Sequence, residues 1–278
     1  MNTTHSVEVE LGSRFAFGEN WRRFLELLDD ERICLAEQSL CDALKVKNLQ
    51  GKKFLDIGSG SGLFSLVARR LGAVVYSFDY DPQSVACARE LKKRYFPDDP
   101  EWSVEQGSVL DKDFLQSLGQ WDVVYSWGVL HHTGAMHQAL VNVSGCVSDG
   151  GKLFITIYND QGRASSYWLK VEKAYNNLPK GLTWMILWPA ACRLWGPTTM
   201  RDLVKRKPFQ TWRNYSKNSA RGMSPWRDVV DWVGGLPFEV ASPEQIFRLY
   251  RDFGFDLKEL NTCAGGHGCD EYVFEKTK

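Results

Sequence analysis

The chain has 278 residues and balances 34 Lys and Arg against 34 Asp and Glu, so whole-molecule charge gives no argument for nucleic acid or membrane. With 44% hydrophobic and 24% charged residues it has the composition of a folded globular protein, which excludes a disordered one. The seven cysteines are odd in number and form no CxxC pair, which fits reduced thiols rather than a disulfide framework.

The start, "MNTTHSVEVELG", lacks the basic-then-apolar pattern of a secretory signal, so a cytoplasmic location is expected. Residues up to about Gly18 read as a loose arm. From Asn20, apolar residues at helical spacing predict two helices broken near Asp29–Asp30. The pattern then changes to strands alternating with helices. "KKFLDIG" is a strand, "LFSLVARRLG" a helix stopped by Gly72, "AVVYSFD" a strand, and "PQSVACARELKKRYF" a helix with Pro82 in its first turn. "EWSVEQG" and "WDVVYSWG" follow as strands, "AMHQALVNVSGCV" as a helix and "GKLFITIYN" as a strand. Near the C-terminus, "SPEQIFRLYRDFG" is a helix with Ser242 as N-cap and Gly254 as stop, followed by strands in "FDLKELNT" and "EYVFEK".

This alternation implies an α/β fold with parallel crossovers: a Rossmann-like, seven-stranded, mostly parallel sheet with helices on both faces. The predicted organisation is 1–50 for the arm and first helices, 51–160 for the core, 161–240 for a helical insertion after the fifth strand, and 241–278 for the closing helix and strands.

"FLDIGSGSG" runs from a strand straight into a helix. Gly58, Gly60 and Gly62 allow a tight turn and close approach of a ligand, and the helix start presents free N–H groups. Asp56 closes the strand, and Asp79 ends the next one at the distance expected of a ribose-binding acid. The dinucleotide fingerprint fails, because Leu63 stands where its last glycine belongs, and no Lys-Ser/Thr pair follows to make a P-loop.

On "LDIGSGSG", "FDYDP", "WDVVYSWGVLHHTG" and "GGKLFITIYN" the chain resembles class I S-adenosylmethionine-dependent methyltransferases, from Lys52 to Tyr158 and again from Ser242 to the end. The resemblance implies S-adenosyl-L-methionine as cofactor, with Asp56, Gly58 and Gly60 around its methionine moiety and Ser59 and Gly62 in the same loop. It implies that Asp79 accepts both ribose hydroxyls and that Tyr80 lies against the adenine. Where relatives end the third strand in "GD", this chain has Ser108, followed by Val109; Asp111 is the alternative adenine contact. Ser126 and Trp127, after the fourth strand, complete the expected cofactor set.

Transfer to a hydroxyl requires a positioned nucleophile and a proton acceptor. "SWGVLHHTG" lies at the carboxyl edge of the sheet, where such folds bind ligands. His131 and His132 are adjacent, so one is expected to face the cleft and the other the helix behind. The resemblance to ubiquinone-pathway O-methyltransferases aligns His132 with their histidine after "VLE" and makes it the candidate general base; alternatively, both histidines only shape the cleft. Tyr158 and Asn159 are expected at the cleft, and Phe17, Asn20 and Trp21 as a cover over the cofactor. No metal is expected: Cys263, Cys269 and His267 lack a fourth ligand.

Within the insertion, "GLTWMILWPAACRLW" (residues 181–195) is shorter than the roughly 20 apolar residues of a membrane span and contains Pro189. Between Arg193 and Arg227 nine Lys or Arg face one acid, Asp202, with Phe209, Trp212, Tyr215 and Trp226 interleaved. The expectation is a lid that also forms the acceptor pocket, suited to a small amphiphilic or anionic acceptor or to the surface of a membrane. A cap with solvated charges is the plainer alternative. Trp184 and Trp188, one turn apart, should line the pocket or lie in the core. The expected activity is methyl transfer to a small molecule, on oxygen. A nucleic-acid or protein methyltransferase and a non-catalytic cofactor-binding partner are the alternatives; "SWGV" in place of Asn/Asp-Pro-Pro-Tyr argues against amino-base methylation.

Overall fold

Strand residues point alternately to opposite faces of a sheet, and here both faces are covered, so the apolar runs are nearly continuous. In β1 (Lys53–Ile57), Phe54 packs on one side while Leu55 and Ile57 pack on the other. In β4 (Trp121–Ser126), Val123 and Tyr125 oppose Val124, and in β5 (Val147–Tyr158) Phe154 opposes Leu153 and Ile155. The structure, a computed structural model, describes residues 4–215, 225–264, 266 and 268–277.

Seven strands form one sheet in the order β3-β2-β1-β4-β5-β7-β6, with β2 at Val74–Asp79, β3 at Trp102–Gln106, β6 at Phe255–Asn261 and β7 at Cys269–Lys276. The first five strands are parallel, and β7 runs antiparallel between β5 and β6. One face carries α3 (Asp30–Leu44), α4 (Leu63–Arg70) and α5 (Pro82–Tyr95), through residues such as Leu40, Leu66 and Leu91. The other carries α6 (Lys112–Leu118), α7 (Met136–Ser144) and α12 (Pro243–Asp252), through Leu115, Leu140 and Tyr250. Ser242 caps α12 as expected, in a reciprocal capping box with Gln245, and at the predicted break Asp29 caps α3 by accepting from the Arg32 N–H. Helix α6 was not anticipated; at seven residues it is too short for a clear periodic signal.

The strand order reverses between β2-β1 and β4-β5, which opens a crevice beyond the carboxyl ends of these strands. Two segments close over it. The arm is not loose as expected: it contains α1 (His5–Glu10) and leads into α2 (Phe17–Leu25). The insertion is helical, with α8 (Arg163–Asn177), α9 (Trp184–Val204), α10 (Gln210–Arg213) and α11 (Pro225–Gly234). It has its own small core of Trp168, Ala190, Ala191, Val229 and Val233.

Candidate active site

The loop after β1 needs its glycines for stated reasons. Gly58 has φ 75°, and a Cβ there would meet Val129 at 2.4 Å. Gly60 has φ 55° and lies under the Trp21 ring. Gly62, at φ 81°, opens α4, and a Cβ would press on Ala88 at 2.8 Å; its role is packing against α5. Asp79 is tied to the loop: one oxygen accepts from the Gly60 N–H at 2.9 Å and the other from the Asp81 N–H at 2.9 Å. Each oxygen keeps a lone pair for a ligand hydroxyl. Burial pushes this carboxyl up to about 6.

A cavity of about 610 Å³ lies over the loop, within the range of small-molecule sites. Gly58, Gly60, Asp79, Tyr80, Ser108, Val109, Trp127, His131, His132 and Tyr158 all line it, as expected. Asp56 and Ser59 line a smaller cleft that adjoins it and shares Gly58, Gly60, Trp21 and Trp127. Asp56 accepts from Ser65 Oγ, and burial raises it to about 7. Ser59 Oγ is buried and has no hydrogen-bond partner among the described residues. An orphaned hydroxyl on a glycine-rich loop fits a polar ligand laid along that loop.

Four of the expected residues lie away from the cavity lining. Ser126 is fully buried and spends its hydroxyl on the Ile57 carbonyl at 3.0 Å, joining β4 to β1. Asp111 caps α6 by accepting from the Phe114 N–H, so the adenine alternative is lost. Asn20 is not a lining residue; it bonds Asp231, while Phe17 and Trp21 do line the cavity. Asn159 lies outside the lining and pairs through its backbone with Ala241 and Gly268.

Sequence reasoning offered Phe17 and Trp21 as a cover but missed the residues before them. His5, Glu8, Arg14 and Phe15 all line the cavity. Arg14 is the clasp: it pairs with Glu8, stands 5.0 Å above the Tyr80 ring, and donates through Nη1 to the His132 carbonyl at 2.9 Å. The Gly18 N–H donates to Asp81 at 2.8 Å. Apart from Glu8, these partners lie far along the chain, so no local pattern announces them.

Both histidines face the cavity, contrary to the expected division, because they sit in a 3₁₀ turn (Leu130–His132) rather than on a strand. His131 is fully buried, its ring 4.0 Å from that of Tyr158 and 4.4 Å from that of His132. Burial, reinforced by His132, holds it well below the usual imidazole range. His132 Nδ1 lies 2.8 Å from the Pro237 carbonyl oxygen. A carbonyl only accepts, so Nδ1 carries the proton and Nε2 keeps a lone pair. Burial brings this ring down to about 4, against hydrogen bonds to the backbone of Pro237 and Gly235 that raise it.

The insertion contributes Tyr215, Asp228, Asp231 and Trp232 to the cavity, with Tyr215 bonded to Asp228. It does not contribute Trp184 or Trp188, which are 57% and 60% exposed and lie in neither pocket nor core. Of the basic segment's cations, none that the structure describes lines the cavity, whose acids Glu8, Asp79, Asp81, Asp228, Asp231 and Glu271 outnumber Arg14 and His5. Lys217 and Arg221 lie outside the described residues. Among the described residues no three His, Cys, Asp or Glu gather as metal ligands; His267 lies outside them.

Comparison with known proteins agrees with this architecture. A curated tRNA U34 carboxymethyltransferase of Pseudomonas aeruginosa is 32% identical over 149 residues, covering 53% of this chain and 44% of that protein. A ubiquinone biosynthesis O-methyltransferase of Coxiella burnetii is 27% identical over 164 residues, covering 56% of this chain and 62% of that one. Both matches span less than two thirds of the relative's own length, and the two names divide between acceptor classes. The solved magnesium protoporphyrin IX methyltransferase of Synechocystis PCC 6803, with bound SAH, superposes with a TM-score of 0.51 at 13% identity, covering 89% of this chain and 84% of that one. At that identity the likeness is one of fold. A family model described as a methyltransferase domain matches residues 28–225. With well over half of its length matched, the chain belongs to the methyltransferase-domain family.

Proposed function

We propose that the chain methylates a hydroxyl oxygen of a small, uncharged, amphiphilic acceptor, with His132 as general base. The observation that carries the reading is the anchoring of His132 Nδ1 on the Pro237 carbonyl in the same cavity that holds the glycine loop and Asp79. Bound S-adenosylmethionine supplies a methyl group already activated on a sulfonium. Gly58, Gly60 and Ser59 would hold its methionine end, Asp79 its ribose hydroxyls, and Tyr80, Ser108 and Val109 its adenine. His132 Nε2 takes the proton from the acceptor hydroxyl as the oxygen attacks, and the arm and insertion keep bulk water out.

The outer end of the cavity supports the acceptor class. Tyr158 and Trp232 offer flat apolar faces, their rings 5.1 Å apart, while Asp228 and Asp231 offer acceptors to hydroxyl groups. An anionic acceptor, the other expectation, would meet this excess of acids, as would the polyanionic tRNA named for one set of relatives. The O-methyltransferase relatives agree with transfer to oxygen.

The test supplies the protein with S-adenosylmethionine carrying an isotope-labelled methyl group, together with either the neutral small-molecule fraction or the RNA fraction of a cell extract. Label on an ether carbon in the small-molecule fraction, lost with His132→Ala, is the expected result. Label in RNA, or on nitrogen, overturns the reading.

A further inference from the structure

Helix α9 has two unlike faces. Inward, Ala190 and Ala191 are buried against the insertion core of Trp168, Val229 and Val233, with Ile186, Leu187 and Leu194 beside them. Outward, Trp184, Met185 and Trp188 are exposed near one end and Met200, Leu203 and Val204 near the other, with Val204 at 78%. Soluble proteins seldom leave this many large apolar side chains exposed on one helix, and such a cluster marks an interaction surface. The exposed charges on α9 and just past its end are all of one sign. Arg193, Arg201, Lys205, Arg206 and Lys207 are exposed, whereas Asp202 turns inward and accepts from the Thr211 N–H at 2.7 Å and Oγ1 at 2.8 Å. No helix among the described residues is long and apolar enough to cross a membrane.

We propose that α9 docks this protein flat on the surface of an anionic lipid bilayer. A helix lying in the interface needs an apolar face that reaches the acyl boundary and cations that reach the phosphates, and tryptophan suits the depth between them. At 21 residues α9 is about 30 Å long and supplies both along its length. The other occupants fit less well. A symmetric second copy would set this cation cluster against itself. RNA would satisfy the cations and leave Met200, Leu203 and Val204 in water. Docking here holds α11 between the membrane and the cavity, since α11 packs on α9 through Val229 and Val233 and lines the cavity through Asp228, Asp231 and Trp232. The proposal stands whichever acceptor is methylated.

The experiment is co-sedimentation of the whole chain with vesicles of phosphatidylcholine alone, or of phosphatidylcholine mixed equally with phosphatidylglycerol, over a range of salt. Binding is expected to the mixed vesicles, to weaken with salt, and to fall about tenfold or more in both Lys205→Glu/Lys207→Glu and Met200→Glu/Val204→Glu. These side chains are exposed and far from the cavity, so the melting temperature and S-adenosylhomocysteine affinity should not change. No preference for anionic vesicles overturns the proposal. So does mixed-vesicle binding that survives Met200→Glu/Val204→Glu. Tighter binding of a single-stranded RNA than of mixed vesicles assigns the face to nucleic acid, and a concentration-dependent dimer abolished by Met200→Glu/Val204→Glu assigns it to a second copy.

Discussion

The Nδ1 atom of His132 and the carbonyl oxygen of Pro237 lie 2.8 Å apart, so the exit of the insertion fixes the tautomer of an imidazole that lines the cavity. This bond makes the base assignment testable by pH. The ring works only when neutral, and burial has moved it down to about 4. Turnover should therefore stay level as pH falls from about 8 to about 5, and drop only as pH nears 4. His132→Ala should lower kcat by about 10²–10⁴ and leave S-adenosylhomocysteine affinity unchanged. A rate that falls with a midpoint near 6.5 would assign the proton to a different group. The same shift affects stability: the folded value lies below the unfolded value of about 6.5, so the contribution is whole above pH 6.5 and is lost as pH falls toward 4.

Asp79 is the second place where a single atom pair has a measurable consequence. Its two oxygens already order the Gly60 and Asp81 amides, and removing the carboxylate loosens the loop as well as the ligand. Asp79→Ala should weaken S-adenosylhomocysteine binding by about 10- to 100-fold, the size of one or two charge-assisted hydrogen bonds. Isothermal titration measures this, with NAD as the control ligand that should give no heat. Because the carboxyl titrates at about 6, wild-type affinity should also decline below that pH, and Asp79→Ala should not share the decline.

Arg14 closes the arm over the cavity by touching Glu8, the Tyr80 ring and the His132 carbonyl together. Arg14→Ala removes all three contacts and leaves α1, which has no buried residue, without its main tie. The expected result is faster release of S-adenosylhomocysteine in stopped-flow, and earlier proteolytic cleavage of the arm in the absence of ligand. Arg14→Lys should restore little, since an ammonium cannot hold three partners in one plane. Unchanged release with Arg14→Ala would mean that the arm is held by Phe15 and Phe17 instead.

The parts of this molecule that were legible in its sequence are those with local causes. Phe54, Leu55 and Ile57 are all apolar because both faces of β1 are buried, and Gly58 is glycine because a side chain there would strike Val129. The arm was illegible because its ties run from Arg14 to His132 and from Gly18 to Asp81, across spans that no periodicity encodes. Ser126 and Asp111 carried the right polarity at the right strand ends, yet a backbone carbonyl and a helix N-terminus already use them. The two histidines were misjudged for a geometric reason: adjacency was read as pointing them apart, and a 3₁₀ turn lets both line the cavity. Trp184 and Trp188 were expected to be hidden because apolar residues usually are, and helix periodicity cannot tell an inward face from an outward one.

Glu172 on α8 gives a prediction independent of the active site. It is fully buried one turn from Trp168, and neither carboxyl oxygen has a hydrogen-bond partner among the described residues. Asn176, the nearest candidate along the helix, donates instead to the Glu172 and Gly234 backbone carbonyls, both at 2.9 Å. Burial pushes the carboxyl up to about 9, so it is protonated at neutral pH in the folded protein and ionised in the unfolded chain. The sign is opposite to that of His132. The folded value lies above the unfolded one, so the contribution is whole below about pH 4.5 and is lost as pH rises toward 9, at no more than about 1.4 kcal/mol per unit. Denaturant melts at pH 6 and pH 8 should show the wild type weaker at pH 8. Glu172→Gln should remove most of that difference, and Glu172→Leu should stabilise the protein at pH 8 by about 1–3 kcal/mol by ending the desolvation of an unpaired acid. If Glu172→Gln and the wild type lose the same stability between pH 6 and pH 8, the carboxyl does not titrate in that window and the insertion core tolerates it in one protonation state.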